Sequence, residues 1–322
     1  MAMRLPTVVV PLTEDCDREQ CQDIFVYLRP ESNGVVVEST LMKVISRSRE
    51  LPQRIRLVYL ANIPGDFILR NRIIEDHYHL KLLFSRKGKK LFTPYMADRF
   101  TIHFGIPFEE ADIIGAFQAL RILGLTREEL FQLWVPEKDL LHLNGQTIKR
   151  YKNHFIINYD IPAILHKNSD ATDIAVMIFR TELGSDAFKD LITAMVTALR
   201  KEGIVDKHKP FSRVFHHSAG PFEQIRDGLG FLYNSNGEHL PLQKIRFFRF
   251  LEKEGLSSEE IKKIIAYPLF HFPGSSGSGM EDTIYNMSSS MTYPEARDVL
   301  AEATGQLLIG SDRILRPSNQ AE

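Results

Sequence analysis

The chain has 322 residues, 43% of them hydrophobic and 25% charged, which excludes a disordered, collagen-like or cysteine-scaffold protein and supplies enough apolar side chains for a sizeable core. Its 40 Lys and Arg are matched by 41 Asp and Glu, so no general basic surplus marks a dedicated nucleic-acid binder. The balance is uneven, since residues 1–103 hold sixteen Lys and Arg against twelve Asp and Glu while the remainder holds five more acids than bases.

The N-terminal apolar run is broken by Pro6 and Pro11 and followed by Glu14 and Asp15. No apolar run approaches the roughly 18 residues that a membrane span needs, and the start has no signal-peptide core, so a cytoplasmic protein is expected. Cys16 and Cys21 have no second pair with which to complete a zinc site. So few cysteines, in a chain large enough to need no disulfide staple, fit a reducing cytosol.

Strand signals dominate the first hundred residues, at 23–28, 35–40, 54–60, 79–84 and 100–104, each rich in Val, Ile, Leu or aromatics and bounded by Pro, Gly or Asn. In 54–60, Arg54 and Arg56 face one way and Ile55 and Leu57 the other, as on a half-buried antiparallel strand. The run Ser-Arg-Lys-Gly-Lys-Lys at 85–90 separates two apolar stretches and predicts an exposed hairpin tip carrying Arg86, Lys87, Lys89 and Lys90.

Helical spacing begins at 111–123 and stops at Gly124; Thr126 and Glu129 then form a capping-box pattern. Asn144-Gly145 between 140–143 and 147–151 predicts a hairpin, because both residues tolerate positive φ, and a strand at 154–159 follows. A strand at 173–180 leads to an amphipathic helix at 186–201, with Phe188, Leu191, Ile192, Met195 and Leu199 as its stripe, Ser185 as cap and Gly203 as stop. Residues 205–213 read as a linker. A helix pair at 242–254 and 257–266 follows, the second opened by a Ser257/Glu260 capping box; a Gly/Ser-rich linker at 273–279 and a helix at 294–303 complete the chain.

These elements predict an α+β fold, a mixed and largely antiparallel sheet covered by helices, followed by a smaller helical C-terminal region. The expected divisions are a sheet domain at 1–204, a mainly helical region at 205–272, and a linker with a short helix and tail at 273–322.

No motif identifies a family, implies a cofactor or exposes a catalytic serine, so whether the chain is an enzyme stays open at this level. The leading expectation is a non-enzymatic binding or scaffold protein that meets protein partners, or a second copy of itself, through Phe247 and Phe250 of a helix apolar around much of its girth. The alternative is a metal- or histidine-dependent enzyme acting on an anionic or phosphorylated substrate. For it, His77 and His79 would share a strand face, with His216 and His217 as further ligands or bases, although one His-x-His pair lacks the third and fourth ligands of a zinc site. A third reading gathers Arg54, Arg56, Arg86, Lys87, Lys89, Lys90, Lys149 and Arg150 into a phosphate-facing surface for nucleic acid, against their bland role as the solvated outside of a sheet.

Overall fold

The computed structural model describes residues 3–13, 21–47, 55–182, 186–206, 211–274, 279–309 and 314–315. Helix makes up about 47% and strand about 22%, with antiparallel sheets packed on helices, so the α+β class holds. Two compact units emerge: one from residues 1–73, 167–261 and 288–297, the other from 74–166, 262–287 and 298–322. Each gathers separated stretches of chain.

The first unit is built on a five-stranded antiparallel sheet in the spatial order Thr7–Val10, Ile55–Pro64, Asp173–Thr181, Gln22–Leu28 and Phe215–His217. Side chains alternate between its faces. Ile24, Val26, Leu28, Met177 and Phe179 meet Val37 and Leu41 of the Val35–Arg47 helix and Phe188, Leu191, Met195 and Leu199 of the Asp186–Lys201 helix. On the opposite face Tyr27 lies 4.6 Å from Phe231, at the end of the Pro221–Phe231 helix. That helix comes close because residue 228 is Gly; a Cβ there would fall 2.4 Å from Ile245 and 3.3 Å from Phe25. Covered on both sides, Gln22–Leu28 is buried at every position.

Burial on both faces forces the polar residues of this sheet to pair. Asp23 and Arg180 are opposite each other in the ladder. They form a two-pronged ion pair, Nε to Oδ1 at 2.7 Å and Nη2 to Oδ2 at 3.0 Å, while Nη1 donates to the Thr13 carbonyl at 2.9 Å. The Tyr293 hydroxyl accepts the Asp23 backbone N–H and donates to Gln224 Oε1, and burial, foremost, raises its pKa. Arg246 Nε donates to the Cys21 carbonyl. Cys21 itself is disulfide-bonded, against the reading of the two cysteines as reduced; Cys16 lies outside the described residues.

The second unit holds a four-stranded sheet in the order Ile113–Gly115, His154–Ile157, Gln146–Tyr151 and Leu140–Leu143, parallel in its first pair and antiparallel in the rest. Phe84, Met96, Phe100 and Phe155 pack on one side of it, and Ala116, Ala119 and Leu130 on the other. A three-stranded antiparallel sheet sets Leu269–Phe272 between Met280–Thr283 and Gly305–Gln306. Phe272 lies opposite Met280 in this sheet, and residues 275–278 of the expected Gly/Ser linker lie outside the described residues.

Three predicted strands are helices. Residues 35–40 open the Val35–Arg47 helix, where Val37 and Leu41, one turn apart, are buried while Val35 and Val36 are exposed. Residues 100–104 end the Pro94–Phe104 helix, which Thr93 caps by accepting the Met96 N–H, Pro94 starts and Gly105 stops at φ 67°. Residues 79–84 belong to the His79–Lys87 helix, so the expected basic hairpin tip is a helix end followed by a 3₁₀ turn, Gly88–Leu91. The predicted 111–123 helix begins only at Ala116, after the Ile113–Gly115 strand. Both capping boxes, the Asn-Gly hairpin turn and the 173–180 strand are present.

Removing Arg180 strands the Asp23 carboxyl in a closed interior. Arg180→Ala is expected to cost about 3–5 kcal/mol of unfolding free energy. Arg56→Ala, on a half-exposed side chain 4.0 Å from Glu182, should stay within about 0.5 kcal/mol. Urea unfolding of the two variants side by side checks the difference.

Candidate functional site

The hairpin turn of the second unit sets up a polar cavity. Asn144 and Gly145 both take positive φ, 49° and 73°, closing the antiparallel pair Leu140–Leu143 and Gln146–Tyr151. Gly145 is pressed against the Met280–Thr283 strand; a Cβ on it would lie 2.9 Å from the Thr283 methyl carbon. Asn144 is only 2% exposed. Neither its amide nitrogen nor its amide oxygen has a hydrogen-bond partner among the described residues. Nearby Asn158 is also buried, yet its amide donates to Gln146 Oε1 and the Lys81 carbonyl and accepts the Thr147 N–H. Buried side-chain amides are ordinarily satisfied in that way.

Asn144 lines a cavity of about 240 Å³. One wall is a face of the Pro94–Phe104 helix, whose residues Tyr95, Arg99, Ile102 and His103 recur at the spacing that stacks side chains one turn above another. His142 precedes the turn, and Glu281 and Asp282 complete the lining from the Met280–Thr283 strand. Glu281 is held from behind, accepting a short hydrogen bond from Thr93 Oγ1, with His271 Nε2 3.3 Å from its other oxygen. Asp282 Oδ1 accepts from the Thr283 N–H and Asn286 Nδ2. Burial raises the Asp282 pKa against those two hydrogen bonds. Burial, followed by the charge of Lys81, lowers that of His142. The cavity is thus lined by two carboxyl groups, two imidazoles, a phenol and one guanidinium, while the Asn144 amide atoms are closed off from solvent.

The predicted site residues fall elsewhere. His77 ends the Ile73–His77 helix and is buried, while His79 starts the next helix and is exposed, so they share no strand face. Among the described residues no group of three or more His, Cys, Asp or Glu is placed to hold a metal ion. Phe247 is fully buried against Phe222 and Tyr293, and Phe250 is half-buried beside it, so the Phe247 ring has no surface with which to meet a partner. Of the basic candidates, Arg54 lies outside the described residues and Arg56 belongs to the first unit. In the second unit Lys89 donates to the Glu109 carbonyl, and buried Lys149 donates to the Leu133 carbonyl over the Tyr159 ring. The Arg86 guanidinium sits above Phe117 and that of Arg150 above Phe155, while Lys87 is half-buried and Lys90 exposed.

His216 occupies a different setting in the first unit. It stacks on Tyr27 at 4.6 Å, with Nε2 3.6 Å from Oδ2 of fully buried Asp227. Its neighbour His217 lies against Phe211. Burial raises the Asp227 pKa to about 7, opposed by Arg226, His217 and Arg29, and burial holds His216 well below its ordinary value. Arg226 is itself paired with Glu223 at 2.6 Å.

No protein-family model, curated protein or solved structure matches the chain. Among the described residues no helix is long and apolar enough to cross a membrane. The chemistry of the sites therefore rests on their own geometry.

The Asp227 and His216 shifts act on stability with opposite signs. Between about pH 4 and 7 the folded chain keeps a proton on Asp227 that the unfolded chain has released, so this group's stabilisation is lost as pH rises. Below about pH 6.5 the unfolded chain protonates His216 and the folded chain does not, so that contribution is lost as pH falls. In the parent protein the two slopes oppose each other. His216→Gln should leave a protein that loses stability from pH 4 to 7, on the order of 4 kcal/mol in all, and Asp227→Asn one that gains stability towards pH 6.5. Urea midpoints measured at half-unit pH steps read both slopes.

Proposed function

We propose that the protein binds a small polar molecule in the Asn144 cavity. The observation that carries this reading is the convergence of Tyr95, Arg99, His103, His142 and Asp282 on one cavity. The volume of about 240 Å³ lies just below the roughly 300–1,000 Å³ usual for drug-sized ligands, which suits a compact molecule. Polar groups converging from three chain segments on one open cavity are what such sites use to fix orientation. This reading keeps the binding class expected from the sequence and moves the binding surface from the phenylalanine helix to the cavity.

Ile102 lines the cavity and is 63% exposed, so a larger side chain there can obstruct the space without disturbing the core. Ligand-observed NMR of the full chain with a panel of polar metabolites should find at least one binder, and Ile102→Trp should weaken it at least tenfold with an unchanged thermal midpoint. A panel without binders, or binding indifferent to Ile102→Trp, removes the cavity as the site.

A further inference from the structure

We infer, resting on the ligand-binding reading above, that the molecule this cavity takes is a free α-amino acid with an apolar side chain, held as a zwitterion between Arg99 and Asp282 along the open edge of the Leu140–Leu143 strand.

Opposite charges line one small space without meeting. Arg99 is exposed on the Pro94–Phe104 helix, and among the described residues its guanidinium makes no hydrogen bond, ion pair or ring contact. Asp282 makes no ion pair among them either, and both of its hydrogen bonds, from the Thr283 N–H and Asn286 Nδ2, fall on Oδ1. Its Oδ2 accepts neither and is not sealed from solvent, in contrast to the Asn144 amide atoms. Glu281 takes no part, since its oxygens are turned to Thr93 and His271. A ligand with a single charge would answer one of the two groups and leave the other unanswered or repelled, whereas a molecule with both charges answers both.

The strand edge sets the spacing between those charges. Among the described residues Leu140–Leu143 is an edge strand, paired with Gln146–Tyr151 alone. His142 lies opposite Thr147, whose own N–H and carbonyl are turned to Asn158 on the far side. The two therefore form one of the non-hydrogen-bonded pairs that alternate along an antiparallel ladder, and the His142 backbone N–H and C=O point out of the open edge. Residues 141–144 of that edge border the cavity. A residue on a further strand would answer this N–H and C=O with its own C=O and N–H. A free α-amino acid carries a carboxylate and an ammonium in the same two places, so it docks as a strand one residue long. The charges it adds over a strand residue are the ones that Arg99 and Asp282 meet.

The rest of the lining chooses the side chain. Ile102, Leu141 and Met280 are apolar, and Tyr95 adds the face of a ring. With Arg99 and Asp282 given to the main-chain groups, a charged ligand side chain would lose water without gaining a partner of opposite sign. The volume of about 240 Å³ suits one amino acid rather than a longer peptide.

Calorimetric titration of the full chain with L-leucine and L-phenylalanine tests this against the half-molecules of each: isoamylamine and phenethylamine, which lack the carboxylate, and isocaproate and hydrocinnamate, which lack the ammonium. At least one amino acid should bind, and at least tenfold more tightly than both of its half-molecules. Arg99→Gln, on an exposed side chain, and Asp282→Asn, which keeps the acceptor for Thr283 and Asn286, should each weaken that binding at least tenfold. If thermal unfolding shows that Asp282→Asn does not fold, Arg99→Gln carries the readout alone. Failure of both amino acids to bind, a half-molecule that binds as tightly as its parent, or amino-acid binding unchanged in a folded variant overturns the inference. If the metabolite panel then still yields a binder that Ile102→Trp weakens, the cavity reading stands without it; if the panel yields none, both fall.

Discussion

The pairing of Asp23 with Arg180 is the constraint on which the five-stranded sheet depends. Both residues lie on adjacent central strands, and helices cover both faces, so neither charge can reach solvent. Ion pairs of this kind gain little over well-packed apolar residues, because desolvation cancels most of the attraction, but they penalise every arrangement that separates them. A slip of one residue in the ladder would turn Asp23 and Arg180 to opposite faces. The pair therefore fixes the register of Gln22–Leu28 against Asp173–Thr181, and Tyr293 and Gln224 extend the network from the covering helices.

The same rule gives meaning to its exceptions. Among the described residues, Asn158 is answered by three hydrogen bonds, and Tyr59 by donating to the Tyr233 carbonyl and accepting its N–H. The side-chain oxygens of Asn62 and Asn168 are buried without a partner. Asn144 lacks one at both ends, and neither end is open to solvent. His216 and Asp227 solve the problem in another way. Their burial favours the uncharged form of each, and an uncharged pair avoids the desolvation cost that a charged one would meet.

Local chemistry was legible in the sequence wherever backbone demands are written in single residues. Thr126 with Glu129, Ser257 with Glu260, Asn144-Gly145 and the stripe from Phe188 to Leu199 specify their own structure. The failures share a cause. Residues 35–40 and 79–84 are short apolar runs in which period two and period 3.6 cannot be separated, and the β-branched Val35, Val36 and Val37 favour strand in isolation. Packing of Val37 and Leu41 on the sheet decides for helix. Thr93-Pro94 and Gly105 did mark the limits of a helix, and recognising it would have put Tyr95, Arg99 and His103 on one face. The meeting of that face with residues 141–144 and 280–282 depends on contacts that no local pattern encodes. Phe247 failed as a surface residue for the same reason: its helix is apolar widely because both sides are packed.

The identity of residue 144 separates the demands of the turn from those of the cavity. A two-residue hairpin turn with positive φ at both positions accepts Gly in either, and Gly pays no steric cost there. Asn also suits the first position, so the backbone alone explains a choice between the two. Burial then weighs against Asn, because its amide must leave water and here regains nothing from the surrounding chain. With Gly in the same place the turn would close and the unanswered amide would vanish. The turn thus accounts for the conformation of residue 144, while its side chain carries an unanswered amide that solvent does not reach.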